Sequence, residues 1–191
     1  KKNKNYDQVF NSKILEELKL PKNIYFKGVS IDSKNVKKNN LFIAIKGKYK
    51  DGHDFVNEAL SNNLSYAVIS KSKKLYKKSY RKKIIRCSNT FSFLNNLALK
   101  KRDKTLAKII GITGSAGKTS LKTMLGDILK CYGKTQFSPK SYNNKFGVPL
   151  SLFNLNETDD YGVLEVGMDK KGEIDYLSKI IKPDISVITN I

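Results

Sequence analysis

The 191-residue chain contains no tryptophan, one histidine and two cysteines. Cys87 and Cys131 lie far apart in the sequence and lack the spacing of a metal site, so we expect two buried, reduced thiols in a cytoplasmic protein. The chain also lacks a run of about 18 apolar residues, which argues against a transmembrane helix. Its first residues, Lys1–Asn5, are charged or polar, and we therefore expect no secretory signal peptide.

Acidic residues are scarce as well: 17 Asp and Glu stand against 37 Lys and Arg, a net charge of +20. Residues 1–110 hold 27 of these cations and 8 acids (+19), and residues 111–191 hold 10 and 9 (+1). A basic half is typical of a protein that binds a polyanion, either nucleic acid or a phosphorylated substrate. Against nucleic acid, only three cations are arginine, the better reader of bases. AT-rich coding would also produce a lysine excess without any function.

The chain does contain enough apolar material for a packed core, since 39% of its residues are hydrophobic and 10% are aromatic. Its length suits one large domain or two small ones. It begins without methionine and ends on the strand-like run Ile185–Ile191. We therefore expect it to be part of a longer protein.

The most informative segment is Gly111–Ser120, a glycine-rich turn that reads Gly-Ile-Thr-Gly-Ser-Ala-Gly-Lys-Thr-Ser. The preceding run, Ala107–Ile112, is apolar and β-branched, as a buried parallel strand should be. A helix is predicted after the turn from five apolar residues at helical spacing: Leu121, Met124, Leu125, Ile128 and Leu129. Strand, glycine loop and helix together are typical of a phosphate-binding loop.

Such a loop predicts a site for a nucleoside triphosphate. Glycines let the backbone approach the phosphates, and the unpaired N–H groups of a helix N-terminus attract anions. Lys118 would contact the β- and γ-phosphates, and the Thr119 hydroxyl would bind Mg²⁺. The general pattern places a glycine at position 112, where this chain has Ile112. The residues expected to bind nucleotide are Thr113, Gly114, Ser115, Ala116, Gly117, Lys118, Thr119 and Ser120.

Helical and strand-like segments alternate along the chain, which predicts an α/β fold with a mostly parallel sheet and helices on both faces. The charged segment Lys100–Lys104 predicts a boundary between domains at residues 1–104 and 105–191. The predicted helices are Tyr6–Leu20, Asp54–Leu60, Thr90–Lys100, Ser120–Cys131, Gly147–Asn154 and Gly172–Ile181. The predicted strands are Tyr25–Ile31, Leu41–Ile45, Tyr66–Ser70, Lys83–Cys87, Ala107–Ile112, Lys134–Phe137, Tyr161–Val166 and Asp184–Asn190.

Polar residues at several predicted strand ends are candidate ligands. Glu165 ends an apolar strand at the edge where parallel sheets bind ligands, so it is a candidate for Mg²⁺, although a solvent-facing acid is the alternative. Asn143 and Asn144 could contact phosphate or substrate, or simply form a turn. In the first half, polar residues cluster at Ser30–Lys34 and Gly47–Phe55. From the residues alone, His53 in the second cluster is a loop or cap histidine.

Taken in order, these motifs resemble those of the ATP-dependent Mur ligases of peptidoglycan synthesis. The family's Thr-Gly-[Ser/Thr]-x-Gly-Lys-[Thr/Ser] loop is matched by Thr113–Thr119, which accounts for the shifted glycines. Lys34 stands where the family has arginine, and Ser141 stands where asparagine is common. The other matches are Asn-Asn-x-x-Gly-Val-Pro at Asn143–Pro149, Glu-[hydrophobic]-Gly at Glu165–Gly167, Gly-Glu-Ile at Gly172–Ile174, and the amino-terminal signatures at Asp32–Lys34 and Gly47–Phe55.

The resemblance implies a small uridine-nucleotide-binding α/β domain in residues 1–104 and the first part of a P-loop ATPase domain in residues 105–191. It implies ATP and Mg²⁺ as cofactors, with Thr119 and Glu165 on the metal. It places Lys118, Asn144 and Glu165 at the catalytic centre. The residues that it implies in substrate binding are Ser33, Lys34, Gly47, Asp51, His53, Asp54 and Asn143.

Within the family, Lys122 and the Asn-Asn motif are most similar to the member that joins D-Ala-D-Ala to UDP-N-acetylmuramoyl-tripeptide. The implied reaction runs through an acyl phosphate of the tripeptide carboxylate, which the amine of D-Ala-D-Ala then attacks. A monomer that binds neither membrane nor nucleic acid is expected. Two alternatives stay open: a related ligase acting earlier in the pathway, and a basic P-loop protein that binds nucleic acid.

Overall fold

The computed structural model describes residue 24 and residues 26–61, 66–72, 76–139 and 142–191. Two compact units are present, one ending at Leu97 and one beginning at Ala98; we call them the first and the second unit. This division falls inside a helix, Thr90–Lys104, whereas the sequence predicts a boundary after residue 104. Within the described residues, no helix is long and apolar enough to cross a membrane. The predicted helix Tyr6–Leu20 and the residue Ser141 lie outside the described part.

The first unit contains a sheet of four parallel strands in the order β1-β2-β3-β4. These strands are short, because each apolar run is closed by a polar turn within a few residues. The predicted helix Asp54–Leu60 is a 3₁₀ turn, Gly52–Phe55, followed by helix α1. The ranges are β1 Gly28–Ser30, β2 Asn40–Ile43, α1 Val56–Ser61, β3 Tyr66–Ile69, a second 3₁₀ turn Lys78–Lys83, β4 Ile84–Arg86 and α2 Thr90–Lys104.

The central strands of the first unit are buried on both faces, as parallel strands usually are. Leu41, Phe42 and Ile43 of β2 have no exposed surface, and Val68 beside them is also fully buried. One cluster joins this sheet to α1 and consists of Phe42, Ala44, Val56, Ala59, Leu60, Ala67 and Ile69. The apolar runs in the sequence therefore form the core of the unit.

The second unit contains another sheet of four parallel strands, in the order β6-β7-β5-β8. Strands and helices alternate here as the sequence predicts, with every boundary displaced by at most a few residues. The expected α/β fold with parallel sheets is therefore confirmed. The ranges are β5 Lys108–Thr113, α3 Lys118–Leu129, β6 Thr135–Phe137, α4 Gly147–Phe153, β7 Tyr161–Glu165, α5 Glu173–Ile181 and β8 Ile185–Ile188.

Helices cover both faces of the second sheet, because its side chains alternate between them. Ile109 and Leu164 belong to a cluster with α4 and α5, including Leu152 and Ile181. Ile110, Ile112 and Val163 form the opposite cluster, against Leu121, Leu125 and Leu129 of α3. The sheet is thus a central layer between helices, and packing on both faces fixes the positions of its strand ends.

Two residues of the predicted apolar stripe on α3 do not face the core. Met124 and Ile128 are 63% and 55% exposed. The side of the helix that meets the sheet carries Leu121, Leu125 and Leu129 together with Gly126, where an added Cβ would lie 2.5 Å from the Phe137 ring. The expectation that both cysteines are buried is also corrected, since Cys131 is exposed and Cys87 is half-buried.

The charged segment Lys100–Lys104, predicted as a connector, is the last turn of α2. Arg102 Nε donates to the carbonyl oxygen of Ile181 at 2.6 Å, and Nη2 donates to that of Lys182 at 2.8 Å. A cation is favourable at these unpaired carbonyls, because they form the negative end of α5. The last turn of α2, which belongs to the second unit, is therefore bonded to the end of α5.

Candidate functional site

The glycine-rich turn joins β5 to α3 in a conformation that requires glycine at two positions. Gly114 has φ +137° and Gly117, which precedes α3, has φ +78°. A Cβ on Gly114 would overlap Thr189 Oγ1 and lie 2.9 Å from backbone atoms of Asn190. The turn thus presents the first amides of α3 at the carboxyl edge of the sheet, where an anion would bind.

The residues that follow β8 pack against this turn. The Thr189 amide donates to Thr113 O at 2.9 Å, and the Ser115 amide donates to Asn190 O at 3.0 Å. The Ser115 hydroxyl also bonds Asn190 Oδ1 at 2.6 Å. Sequence reasoning missed these contacts, because only the adjacency of β5 and β8 in the sheet reveals them. They fix the turn from the side of the last strand.

Lys118, the first residue of α3, bends back over the turn. Its ammonium donates to Gly114 O at 2.6 Å and to Ser115 O at 3.3 Å. The positive charge therefore lies directly above the glycine-rich backbone. It is in position to exchange these carbonyl oxygens for those of a phosphate.

Glu165, the last residue of β7, is surrounded by donors from three directions and is 1% exposed. Its Oε2 accepts from Thr119 Oγ1 at 2.9 Å and pairs with Lys122 Nζ at 3.3 Å. Its Oε1 accepts from Asn143 Nδ2 at 2.9 Å. The carboxylate thus links the phosphate-loop helix to the Asn-Asn segment, and the predicted alternative of a solvent-facing acid is wrong.

The two asparagines have different tasks. Asn143 also accepts a bond at its backbone oxygen from the Gly167 amide, 2.6 Å away. Asn144 Oδ1 accepts from the amides of Phe146 and Gly147 at 3.0 and 2.9 Å and so caps the start of α4. Asn144 is therefore a turn residue as well as a neighbour of Lys118 in the cavity described next.

A polar cavity of about 130 Å³ opens beside the turn. Lys118 contributes the positive charge of its wall, while Asp169 and Glu173 contribute carboxylates. Hydrogen bonds from the amides of Asp169 and Lys170 lower the pKa of Glu173. The lining residues are Lys118, Asn143, Asn144, Gly167, Met168, Asp169 and Glu173. The cavity brings together the loop lysine and both asparagines that the sequence singled out.

Mg²⁺ is compatible with the residues present. No group of three or more His, Cys, Asp or Glu that could hold a metal occurs among the described residues. Mg²⁺ with a nucleotide needs fewer protein ligands, because one or two carboxylates act together with phosphates and water. The Glu165 carboxylate and the Thr119 hydroxyl, 2.9 Å apart, are suitable oxygen ligands of this kind.

In the first unit, the Gly47–Phe55 segment is held by its own polar groups. The Ser70 amide donates to His53 Nε2 at 3.0 Å, which places the ring proton on Nδ1, 2.6 Å from Asp51 Oδ1. His53 is 1% exposed and is held by these two bonds, so it stabilises the loop; its assignment to substrate binding stays a prediction. Burial would raise the pKa of Asp51, but bonds from Lys71 and His53 hold that pKa well below its usual range.

The other predicted substrate residues of the first unit are spread along the same strand ends. Ser33 is buried and donates to Glu58 Oε2 at 2.7 Å. Lys34 is exposed, and its amide donates to Asp32 Oδ1 at 3.0 Å. The Gly47 amide donates to Lys50 O at 2.8 Å in a tight turn, and Asp54 is exposed. Their assignment to substrate binding stays a prediction.

Two family models match the chain in succession. Residues 25–110 match the Mur ligase family, catalytic domain, and residues 112–191 match the Mur ligase middle domain. The chain belongs to the Mur ligase family. The resemblance that the motifs suggested is therefore confirmed by matches in both units.

Relatives and solved structures agree on one branch of the family. The UDP-N-acetylmuramoyl-tripeptide–D-alanyl-D-alanine ligase of Buchnera aphidicola is 42% identical over 85% of this chain and 35% of its own length. A crystal structure of MurF from Acinetobacter baumannii superimposes with TM-score 0.81 and 30% identity, over 95% of this chain and 41% of that one. MurF from Thermotoga maritima in complex with ADP gives TM-score 0.73 and 32% identity, over 86% and 37%. The chain thus spans well under half of each.

Proposed function

We propose that the full-length protein is an ATP-dependent ligase that joins D-Ala-D-Ala to UDP-N-acetylmuramoyl-tripeptide. The observation that carries the proposal is the cavity where Lys118 meets Asn143 and Asn144, next to the Thr119–Glu165 pair. The names of the relatives at 30–42% identity support the substrate pair. They do not favour a ligase that acts earlier in the pathway.

In this proposal, residues Thr113–Ser120 bind the phosphates of ATP. The backbone N–H groups at the start of α3 donate hydrogen bonds to the phosphate oxygens, and Lys118 neutralises the charge of the terminal phosphates. The ADP complex of the Thermotoga maritima relative supports nucleotide binding by a protein of this kind. Asn144 lies beside Lys118 in the cavity wall and would orient the γ-phosphate or the attacking carboxylate.

Thr119 and Glu165 would hold Mg²⁺, which when bound supplies positive charge to the phosphates. The protein would contribute by holding these two side chains in fixed positions beside each other. Thr119 is fixed by the first turn of α3, and Glu165 is fixed by β7 and by Asn143. Such chemistry depends on positioning and charge neutralisation and needs no nucleophile from the protein.

The first unit would bind the uridine nucleotide of the tripeptide substrate, within the proposed domain of residues 1–104. Support comes from its excess of positive charge and from the exposed Lys34 at the end of the β1 segment. A diphosphate would be attracted to such a surface. The second domain, residues 105–191, would then supply the first part of the ATPase site, and a cytoplasmic monomer stays the expected form.

Calorimetric titration of the full-length protein tests the proposal. Mg·ATP and UDP-N-acetylmuramoyl-tripeptide should each bind. In a separate assay, addition of D-Ala-D-Ala should lead to sustained formation of ADP and phosphate only when ATP and the tripeptide are both present. Binding of the tripeptide without ATP would leave the second-unit assignment without support. A folded protein that binds neither but binds DNA or RNA with a steep dependence on salt would favour the nucleic-acid alternative.

A further inference from the structure

Lys122 is the buried cation next to Glu165, and no role follows for it from the phosphate loop. It lies one helical turn after Thr119, and it is 2% exposed. Its ammonium is 3.3 Å from Glu165 Oε2, the same oxygen that accepts the Thr119 hydroxyl. Residues three apart share a helix face, so α3 delivers a hydroxyl and an ammonium to one carboxylate oxygen.

The charge at this point needs compensation from within the protein. A buried carboxylate is costly unless a cation or several donors satisfy it. Thr119 and Asn143 are neutral donors. Among the described residues, Lys122 is the one cation within ion-pair distance of Glu165. It therefore provides the counter-charge that lets an ionised Glu165 stay in the core beside the phosphate loop.

Lys122 is not part of the wall of the cavity, which Lys118 enters instead. A ligand in the cavity would thus meet the charge of Lys118 directly and that of Lys122 only through Glu165. We propose that Lys122 is a positioning residue, which holds Glu165 Oε2 against Thr119 and shares this oxygen with the Mg²⁺ of a bound nucleotide. The inference rests on the proposed nucleotide site.

This arrangement couples Lys122 to the metal in a measurable way. With Lys122 present, Mg²⁺ is a second cation on a carboxylate that is already compensated. With methionine in its place, Mg²⁺ would be the only cation available to Glu165. The variant should therefore be less stable by itself and should gain more from Mg·ADP than the wild type gains.

The test uses the full-length protein with Lys122→Met and measures the melting temperature alone, with ADP and EDTA, and with ADP and Mg²⁺. Loss of the ion pair should lower the melting temperature of the unliganded variant by about 5–10 °C. ADP with Mg²⁺ should recover most of this loss, and ADP with EDTA should not. Lys130→Met is the matched control, because Lys130 follows the same helix, pairs with Asp127 and is exposed.

The outcomes separate this inference from the proposed function. If the wild type gains nothing from Mg²⁺ over EDTA in the presence of ADP, the metal site itself fails and the inference fails with it. If the wild type gains and Lys122→Met gains by the same amount, only the role of Lys122 is overturned. A variant that melts at the wild-type temperature without ligand also overturns it.

A second comparison remains decisive if Lys122→Met does not fold. Glu165→Gln removes the charge that Lys122 compensates, and the double variant Glu165→Gln, Lys122→Met then tests Lys122 without that charge. The loss caused by Lys122→Met should be smaller in this background than in the wild type. An equal or larger loss would show that Lys122 acts through other contacts and would overturn the inference.

Discussion

The two units are both built on a parallel sheet, with different strand orders, and they use their polar residues differently. Each has four parallel strands with helices packed against the sheet, and each has polar segments after its strands. In the first unit these groups bond mostly to one another, as in the chain Lys71–Asp51–His53–Ser70. In the second unit they converge on a cavity beside Lys118. Hydrogen-bond partners, more than fold, distinguish a held loop from a binding site.

The excess of positive charge does not lie in the part of the chain that contains the cavity. Residues 1–110 carry +19, while residues 111–191 carry +1. The nearly neutral region nevertheless contains both lysines of the candidate site, Lys118 at the turn and Lys122 in the core. A surface charge excess attracts a ligand from a distance, whereas a site needs individual charges in fixed positions. The predictions below test this division of work.

The largest effect is expected for Lys118→Ala in the full-length protein. If Lys118 binds the terminal phosphates, its loss removes charge-assisted bonds worth about 1.5–3 kcal/mol each and should lower the affinity for Mg·ATP at least a hundredfold, in effect abolishing binding. Calorimetry of both proteins measures the change. Lys130→Ala, at an exposed lysine just after the same helix, should bind as the wild type does. Unchanged ATP affinity in Lys118→Ala would refute the loop assignment.

The next effect concerns the backbone of the same turn. Gly114→Ala combines a φ of +137° with a clash against Thr189 and Asn190, so it should lower the free energy of unfolding by about 2–3 kcal/mol. Gly172→Ala is the matched control, because Gly172 also has a positive φ, +91°, but an added Cβ would meet nothing within 4 Å. It should cost about 1 kcal/mol. Equal losses in urea unfolding would mean that the contacts after β8 contribute nothing.

Much of this comparison was accessible from the sequence. Apolar β-branched runs closed by polar turns predict the strands. For example, the predicted strand Tyr161–Val166 is observed as Tyr161–Glu165. The rule that carboxyl ends of parallel strands share one edge brought Glu165 to the phosphate loop. Local pattern and one topological rule were therefore sufficient for the fold and for the centre of the candidate site.

What could not be predicted depends on contacts between distant residues. The exposure of Met124 follows from which side of α3 meets the sheet, and that side packs against Ile110, Ile112 and Val163 of β5 and β7. The bond between Ser115 and Asn190 joins residues 75 positions apart. The hydrogen bond that orients the His53 ring comes from Ser70, which follows another strand, β3. In each case a partner far along the chain determines what the side chain does.

A smaller effect is expected for Lys34→Ala, which tests whether the first unit keeps any polar group for a ligand. The Lys34 side chain is exposed, so its loss should leave the stability unchanged within about 0.5 kcal/mol. If it contacts the diphosphate, the affinity for UDP-N-acetylmuramoyl-tripeptide should fall about tenfold, and less at high salt. Lys38→Ala, another exposed lysine four residues on, is the control. If both substitutions lower the affinity equally, Lys34 makes no specific contact and contributes only to the general positive charge of the surface.

The smallest effect is expected for Asp51→Asn, and it should depend on pH. The folded protein holds the pKa of Asp51 below its usual 3.8, so ionised Asp51 stabilises the fold above that pH. This contribution is lost as the pH falls through the folded-state pKa. Asparagine can still accept the His53 amide but cannot pair with Lys71, so the variant should lose about 1 kcal/mol near neutral pH. Urea unfolding of both proteins should show this difference shrinking as the pH is lowered below about 4. A difference that stays constant with pH would mean that the charge of Asp51 contributes nothing, and the first unit's loop would then be held by packing and by neutral hydrogen bonds such as that from the Ser70 amide to His53.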